Sequence, residues 1–165
     1  MFLAGCTLAA AEKGSRTVKA ELRNAQGQPV GTATLKQVNN GVRISLSLSN
    51  LPAGTHAFHI HAVGKCDTPD FKTAGGHFNP EKKKHGLKNP EGPHAGDMPN
   101  ITVGKDGKGK GSVLNTRVTL GEGVNSLFHE GGTALVIHEK ADDEMSDPAG
   151  NAGSRIACGV IEKAK

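Results

Sequence analysis

The chain carries eight histidines, and most of them stand at spacings that suit metal binding. His59 and His61 are separated by a single residue in "HAFHIH", within a segment of strand-forming residues. Because side chains alternate across a β-strand, residues two apart project from the same face, so both imidazoles can converge on one ion. An isolated pair of this kind is more often polar decoration of a strand. Its meaning therefore depends on the other histidines.

Four further residues form a second candidate group in the segment that follows. His77 lies in the Gly-rich stretch "GGHFNP", and "HGLKNPEGPHAGD" contains His85, His94 and Asp97. The spacing of three between His94 and Asp97 allows one tight loop to turn both side chains inward. Three ring nitrogens and one carboxylate oxygen are a typical tetrahedral zinc set, so these four residues are predicted to bind zinc. His138, at the end of a β-branched segment in "ALVIHEKADD", is another candidate ligand.

Two histidines are left outside these groups. We expect His56 to be a hydrogen-bonded framework residue and His129 to be a surface group.

Strands must position these residues, because the composition favours an all-β fold. The chain has 165 residues with 23 Gly, 8 Pro, five Phe and neither Trp nor Tyr, which indicates one domain with an aliphatic core between many turns. Apolar and polar residues alternate most clearly in "VRISLSL". The pattern predicts strands at 17–23, 30–38, 42–48, 56–62, 111–118, 133–139 and 155–162. Two long irregular segments remain, 63–100 and 140–154, and the first is long enough to require cross-links that order it.

The three cysteines bear on the cellular compartment. Cys66 and Cys158 stand in the body of the chain, whereas Cys6 lies in an apolar start, which suggests one disulfide and one odd cysteine. A disulfide implies an oxidising compartment, and three free thiols in a cytosolic protein are the alternative.

The beginning of the chain, "MFLAGCTLAAAEKGS", is similar to part of a secretion signal. Residues 3–6 resemble the lipobox of bacterial lipoproteins, in which the cysteine becomes the lipidated first residue, but only five residues precede Cys6, fewer than a signal needs. Cleavage in the small-residue run 9–11 and a frayed terminus with no address are the alternatives. We expect residues 1–14 to be a signal-like leader and disordered linker, and 15–165 to form a single domain.

The charge pattern argues against a nucleic-acid partner, and the hydropathy pattern argues against a membrane-spanning helix. The net charge is +4, but the lysines are scattered through Gly-rich loops without interleaved aromatic residues, so nucleic-acid binding is not expected. No stretch reaches the roughly 18 apolar residues of a membrane-spanning helix.

Five segments together resemble the successive signature blocks of the copper,zinc superoxide dismutases, in the family's order: "HAFHIH", "GGHFNP", "HGLKNPEGPHAGD", "LVIHEKADD" and "GNAGSRIACGVI". The resemblance extends over 56–161, and the strands before it fit the family's first three strands. It implies an eight-stranded Greek-key β-barrel or immunoglobulin-like sandwich with two long active-site loops. It also implies one copper and one zinc ion per subunit, and the dismutation of superoxide to oxygen and hydrogen peroxide.

The resemblance implies a role for each site residue. The family's copper ligands match His59, His61, His77 and His138. Its zinc ligands match His77, His85, His94 and Asp97, with His77 as the imidazolate that bridges both ions.

Four more residues match the family's supporting positions. Asp142 matches the carboxylate that links a copper-ligand and a zinc-ligand histidine, here His59 and His85. Arg155 matches the arginine that draws the anion toward copper, and Cys66 and Cys158 match the intrasubunit disulfide.

Departures from the eukaryotic pattern resemble the bacterial branch of the family. Ten residues separate Cys66 from His77, and the segment 139–154 is short and lacks an evident acidic-lysine guiding array. We therefore expect an enzyme of the bacterial cell envelope, periplasmic or anchored to the membrane through lipid on Cys6, that protects the envelope from superoxide. The run 82–84 of three lysines is a candidate for steering superoxide, although a solvated charge run is the favoured interpretation.

Two questions stay open at the level of sequence. Both a monomer and a homodimer are compatible with the chain. The alternative function is a non-enzymatic copper or zinc carrier of the envelope with the same fold. Such a carrier would be expected to lack a copper ligand or the active-site arginine, and the chain lacks neither.

Overall fold

The structure, a computed structural model, describes residues 16–163 and is built from β-strands. No α-helix occurs in this range, whose helical structure is limited to one 3-10 turn at Lys72–Ala74. The strands of the described residues are β1 (Thr17–Asn24), β2 (Pro29–Val38), β3 (Gly41–Leu48), β4 (Gly54–His56), β5 (Phe58–His61), β6 (Ile101–Val103), β7 (Gly109–Asn115), β8 (Thr133–His138) and β9 (Arg155–Ile161).

Seven strands form one antiparallel sheet in the order β5-β8-β9-β1-β2-β3-β7, and β4 pairs with β6 in a separate ribbon. Only Ala57 separates β4 from β5, so one bent segment joins the ribbon to one edge of the sheet, while β6 packs against β7 at the other edge. The sheet thereby curls into a barrel. The bent segment β4–β5, β6, β7 and β8 form a Greek key, because β4–β5, β6 and β7 are consecutive neighbours and the next strand, β8, returns to pair with β5. The predicted all-β Greek-key barrel is confirmed, and its eight strands correspond to these elements when β4 and β5 count as one.

The alternating pattern of β3 shows why the barrel forms. Val42, Ile44, Leu46 and Leu48 are buried, whereas Arg43, Ser45 and Ser47 between them are exposed. In register, Ile44 lies opposite Leu35 of β2 and Val113 of β7, so aliphatic residues of neighbouring strands meet on the inner face. Each fully buried side chain of this kind contributes about 1.5–3 kcal/mol of hydrophobic stabilisation.

The two strands of the ribbon differ most from the sequence prediction. The segment predicted as one strand over 56–62 changes partner at Ala57: His56 pairs with Ile101, and Phe58 pairs with Ile137. The strand β6 was not predicted, because three residues are too few to show a periodicity.

The first long loop is tied to the barrel at two points near its histidines. The disulfide Cys66–Cys158 links the first loop to β9, with the two Cα atoms 5.6 Å apart, which confirms the predicted pairing. His77 forms an isolated antiparallel bridge with His61 at the end of β5. The order that the long loop requires therefore comes from a covalent link and from pairing with a strand.

Within 16–163, no helix is long and apolar enough to cross a membrane.

Candidate metal centre

Two groups of four metal-ligating side chains lie side by side against the barrel wall. Within each group, one ligand atom from every residue lies within 4.8 Å of all the others. The first group is His59, His61, His77 and His138, and the second is His59, His77, His85 and Asp97. Strand β5 supplies His59 and His61, the end of β8 supplies His138, and the loop between β5 and β6 supplies the rest.

Two rings of the first group are oriented by hydrogen bonds from the nitrogen that points away from the other rings, here called the outer nitrogen. Nδ1 of His61 contacts the Gly75 carbonyl at 2.9 Å, and Nδ1 of His138 contacts the Gly153 carbonyl at 3.4 Å. Since a carbonyl only accepts, these nitrogens carry the protons, and each Nε2 keeps a lone pair. The two Nε2 atoms face each other at 3.3 Å.

Two further nitrogens of the first group have no hydrogen-bond partner although they are buried. They are His59 Nδ1 and His77 Nε2. His59 uses its other nitrogen, Nε2, to donate to Asp142 Oδ2 at 2.7 Å, which leaves Nδ1 as an acceptor. A buried polar atom without a partner costs about 1–3 kcal/mol, and a native fold normally avoids this cost. The four histidines of the first group thus direct four nitrogen lone pairs into one small space, an arrangement that fits a cation.

The zinc set predicted from the sequence also converges. Asp97 Oδ1 lies 3.0 Å from His77 Nδ1, 3.0 Å from His85 Nδ1 and 3.4 Å from His94 Nδ1, and the Nδ1 atoms of His77 and His94 are 3.2 Å apart. Ligand atoms about 2.0 Å from one tetrahedral ion are separated by roughly 3.3 Å, so these separations fit a zinc ion.

His94 and His59 are alternative fourth members of the second group. The four atoms grouped by distance include His59 rather than His94. We favour His94, because the one nitrogen of His59 without a hydrogen-bond partner, Nδ1, already belongs to the first group, whereas His94 Nδ1 faces both His77 and Asp97.

Asp142 connects the two groups from the second long loop. Its Oδ2 accepts from His59 Nε2, and its Oδ1 lies 2.9 Å from His85 Nε2. Asn100 holds the backbone of Asp142 on both sides, since its Oδ1 accepts from the Asp142 N–H and its Nδ2 donates to the Asp142 carbonyl. A Cβ at Gly150, where φ is +65°, would lie 1.8 Å from Asp142 Oδ1, so this position requires glycine.

Burial and the two carboxylates set the protonation of the rings. Burial lowers the pKa of His77 and of His138 to about 4, and it lowers that of His61 well below the ordinary 6.5. Burial also lowers the pKa of His85, but hydrogen bonds to Asp142 and Asp97 outweigh it and raise the value to about 9. Near neutral pH the rings that face the first group are therefore neutral, as metal ligands must be.

The two carboxylates stay ionised. Burial alone would raise the pKa of Asp97, but hydrogen bonds from His77, His85 and His94 lower it well below its ordinary value. Hydrogen bonds from His59 and His85 lower the pKa of Asp142 against the same effect of burial. Both groups therefore bring negative charge to the site.

Arg155 lies half-buried beside the first group. Its Nη1 donates to the Phe71 carbonyl at 2.7 Å, and its Nη2 donates to the Gly75 carbonyl at 2.6 Å. The same Gly75 carbonyl accepts from His61 Nδ1. One backbone oxygen thus ties the guanidinium to a ring of the first group.

The remaining candidates occupy other positions. Both ring nitrogens of His56 contact carbonyls, of Pro52 at 2.8 Å and of His138 at 2.9 Å, which gives it the expected framework role. His129, expected at the surface, is instead half-buried, because its ring stacks on Phe78 with the centroids 5.2 Å apart. Cys6 lies outside the described residues.

The lysines near the second group are exposed and partly neutralised. Lys83 pairs with Glu81 at 2.7 Å, and Lys84 lies 3.7 Å from Asp147. These contacts are those of a solvated charge run.

Comparison with known proteins shows what the chain is similar to. The family model "Copper/zinc superoxide dismutase (SODC)" matches residues 29–161. "Superoxide dismutase (Cu-Zn) 1" of Aquifex aeolicus is 63% identical over 145 residues, which cover 87% of this chain and 86% of the relative.

Two solved structures resemble the fold over most of their length. A superoxide dismutase-like protein from Bacillus subtilis has a TM-score of 0.84 and 41% identity, over 87% of this chain and 97% of the other. Cu/Zn superoxide dismutase from Brucella abortus has a TM-score of 0.73 and 29% identity. The match covers 88% of this chain and 99% of the Brucella chain.

Proposed function

Because the chain belongs to the copper/zinc superoxide dismutase family, we propose a copper site and a zinc site that share His77. The copper ligands in this proposal are His59, His61, His77 and His138, and the zinc ligands are His77, His85, His94 and Asp97. Family membership confirms the predicted enzyme class, superoxide dismutase, and the predicted cofactors, copper and zinc.

One observation carries the copper assignment. His59 Nδ1 and His77 Nε2 are buried without a hydrogen-bond partner, beside two Nε2 atoms that face each other. A cation that accepts all four lone pairs would remove this unfavourable arrangement. Imidazole nitrogens are suitable ligands for copper, which supplies the one-electron chemistry that zinc lacks.

His77 is placed to handle a proton. Dismutation converts two superoxide ions and two protons into oxygen and hydrogen peroxide, so a group beside the substrate must hold and release protons. The Nε2 of His77 faces the copper side, while its Nδ1 stays 3.0 Å from Asp97. Because the second contact fixes the ring, Nε2 can take up and give back a proton without a change in the position of the side chain.

Arg155 supplies positive charge for the anionic substrate. Its two carbonyl contacts fix the guanidinium near His61. A fixed cation in a cleft raises the local concentration of a small anion and its rate of encounter. We assign Arg155 to the capture of superoxide rather than to metal binding.

The test is a superoxide assay on protein loaded with both metals. We expect the loaded wild type to dismutate superoxide, the metal-free protein to be inactive and His138→Ala to lose turnover, because one copper ligand is gone. His129→Gln, which changes a histidine outside both groups, is the matched control and should retain activity. If the loaded wild type is inactive, the alternative of a metal carrier replaces the enzyme. If His129→Gln loses turnover and His138→Ala keeps it, the ligand assignment is wrong.

We propose that the enzyme works in the bacterial cell envelope, where it protects against superoxide. The disulfide Cys66–Cys158 supports an oxidising compartment, and the lipobox-like residues 3–6 support a lipid anchor on Cys6. Cells that express the full gene should incorporate labelled fatty acid into the protein, and Cys6→Ser should abolish this label. Unlabelled wild-type protein in the cytosolic fraction would contradict the proposal. Sedimentation of the purified protein would decide between the monomer and the homodimer.

A further inference from the structure

The turn that carries two of the proposed zinc ligands is held by the side chains of Asn115, the last residue of β7, and of Arg117, two residues beyond it. The turn runs from His94 to Asp97 and is closed by a hydrogen bond of 3.2 Å from the Asp97 N–H to the His94 carbonyl. All four of its carbonyls accept hydrogen bonds. The Gly96 carbonyl receives the N–H of Ile60, which lies between His59 and His61 on β5.

The other three carbonyls are bound by two side chains. Asn115 Nδ2 donates to the Ala95 carbonyl at 2.8 Å. Arg117 donates from Nε to the His94 carbonyl at 3.3 Å and from Nη2 to the Asp97 carbonyl at 2.5 Å. One guanidinium therefore spans the two ends of the turn.

Arg117 is itself fixed by neighbouring side chains. Its backbone N–H donates to Asn115 Oδ1 at 2.9 Å, and its carbonyl accepts from Asn125 Nδ2 at 3.1 Å. The side chain is half-buried, and within residues 16–163 it forms no ion pair with a carboxylate. Partial burial of a guanidinium costs free energy. The hydrogen bonds to the turn offset this cost.

We propose that Arg117, supported by Asn115, is a positioning residue of the zinc site. It holds the turn so that the His94 ring and the Asp97 carboxylate face His77 before the ion binds. The inference rests on the proposed zinc ligand set. It assigns to the end of β7 a function that no motif in the sequence indicates.

The physical consequence is the rate at which zinc leaves. If the carbonyls of His94 and Asp97 lose their shared donor, the turn can move, and the two ligands separate more easily. Groups that orient metal ligands typically change metal affinity by about 10- to 100-fold when they are replaced. The main effect should fall on zinc, because Arg117 contacts no member of the first group.

The experiment measures zinc release from the full-length, copper- and zinc-loaded protein into an excess of a chelating dye. Arg117→Met keeps the aliphatic bulk and removes the donors, and we expect it to release zinc about 10- to 100-fold faster with its copper content unchanged. Arg117→Lys keeps the charge but cannot span both carbonyls, so its release rate should lie between those of the wild type and Arg117→Met. Cobalt(II) placed in the zinc site should show a shifted visible absorption in Arg117→Met, because the arrangement of its ligands changes.

The control is Arg16→Gln, which removes a comparable contact, from Arg16 Nη1 to the Leu120 carbonyl at 3.1 Å, away from the turn. It should release zinc at the wild-type rate. A rate for Arg117→Met within twofold of the wild type, or an equal acceleration in Arg16→Gln, would overturn the positioning role. A wild type that binds no zinc would instead overturn the proposed ligand set.

Discussion

At the scale of single residues, the outer nitrogen of each ring decides what the inner nitrogen can do. One ring nitrogen each of His61, His138 and His59 donates a hydrogen bond, to the carbonyls of Gly75 and Gly153 and to the carboxylate of Asp142, respectively. Each inner nitrogen is left with a lone pair, which is what a metal requires. The same Gly75 carbonyl also accepts from Arg155, so the proposed metal binding by His61 and the proposed anion capture by Arg155 share one backbone group.

Replacement of Arg155 should separate these two functions. We expect Arg155→Ala to slow the capture of superoxide while the copper content stays at the wild-type level, because the guanidinium contacts carbonyls and no ligand atom. Arg155→Lys keeps the charge and should recover part of the rate. The measurement is the rate of dismutation at several ionic strengths together with metal analysis, since attraction by a fixed charge weakens with salt. Copper loss with a normal rate per bound copper would show that Arg155 is structural.

At the scale of elements, the disulfide joins the first long loop to β9 and to a small second core. Phe71 and Ala74 of the loop pack with Val136 of β8 and Cys158 of β9. The carbonyls that hold Arg155 belong to Phe71 and Gly75, within the same loop segment. The disulfide therefore supports the loop segment that holds Arg155, the residue proposed to capture the anion, as well as linking the fold.

Removal of the disulfide should be costly. The cysteines are 92 residues apart in sequence, so in the chain-entropy model their link contributes about 4 to 5 kcal/mol to the free energy of unfolding. We expect a double variant, Cys66→Ala with Cys158→Ala, to lose most of this stability and to capture superoxide more slowly. Denaturant unfolding and the superoxide assay measure the two effects. Reduced wild-type protein is the control and should behave alike, and a loss below about 1 kcal/mol would contradict the prediction.

At the scale of the whole molecule, the buried site couples stability to pH. In the metal-free protein the pKa values of His77 and His138 are about 4, against 6.5 for an ordinary histidine, because burial disfavours the charged ring. Between pH 6.5 and 4 the unfolded chain therefore binds more protons than the folded one, and stability falls as the pH falls. His85 has the opposite sign: with a pKa of about 9, its contribution is complete below pH 6.5 and is lost as the pH rises through 9.

The metal-free protein should thus be most stable near pH 6.5. Thermal unfolding followed by calorimetry, with the disulfide intact, should give a midpoint that falls toward pH 4.5 and also toward pH 9. The carboxylates of Asp97 and Asp142, whose pKa values are lowered, add to the loss only below about pH 4. A midpoint that is constant from pH 6.5 to 4.5 would show that the rings are not held neutral by burial.

Most of the barrel strands, the types of the candidate ligands and the family could be predicted from the sequence alone, whereas β6 could not. Alternation in β3 and the His-x-His pair in β5 are local patterns, and side chains two apart on a strand share a face whatever the rest of the chain does. The disulfide partners and Asp142 were predicted from motifs that resemble the family.

The atoms that face the proposed metal sites, and the residues that hold the proposed ligands in place, could be identified only in the folded chain. Asp142 reaches His59 across 83 residues of sequence, and Arg117 reaches Asp97 across 20. Neither the partner change at Ala57 nor the carbonyl contacts of Arg117 leaves a periodic signal in the sequence. These contacts depend on how the sheet curls and on where each loop returns, and hydrogen bonds between distant segments exist only once the barrel has brought those segments together.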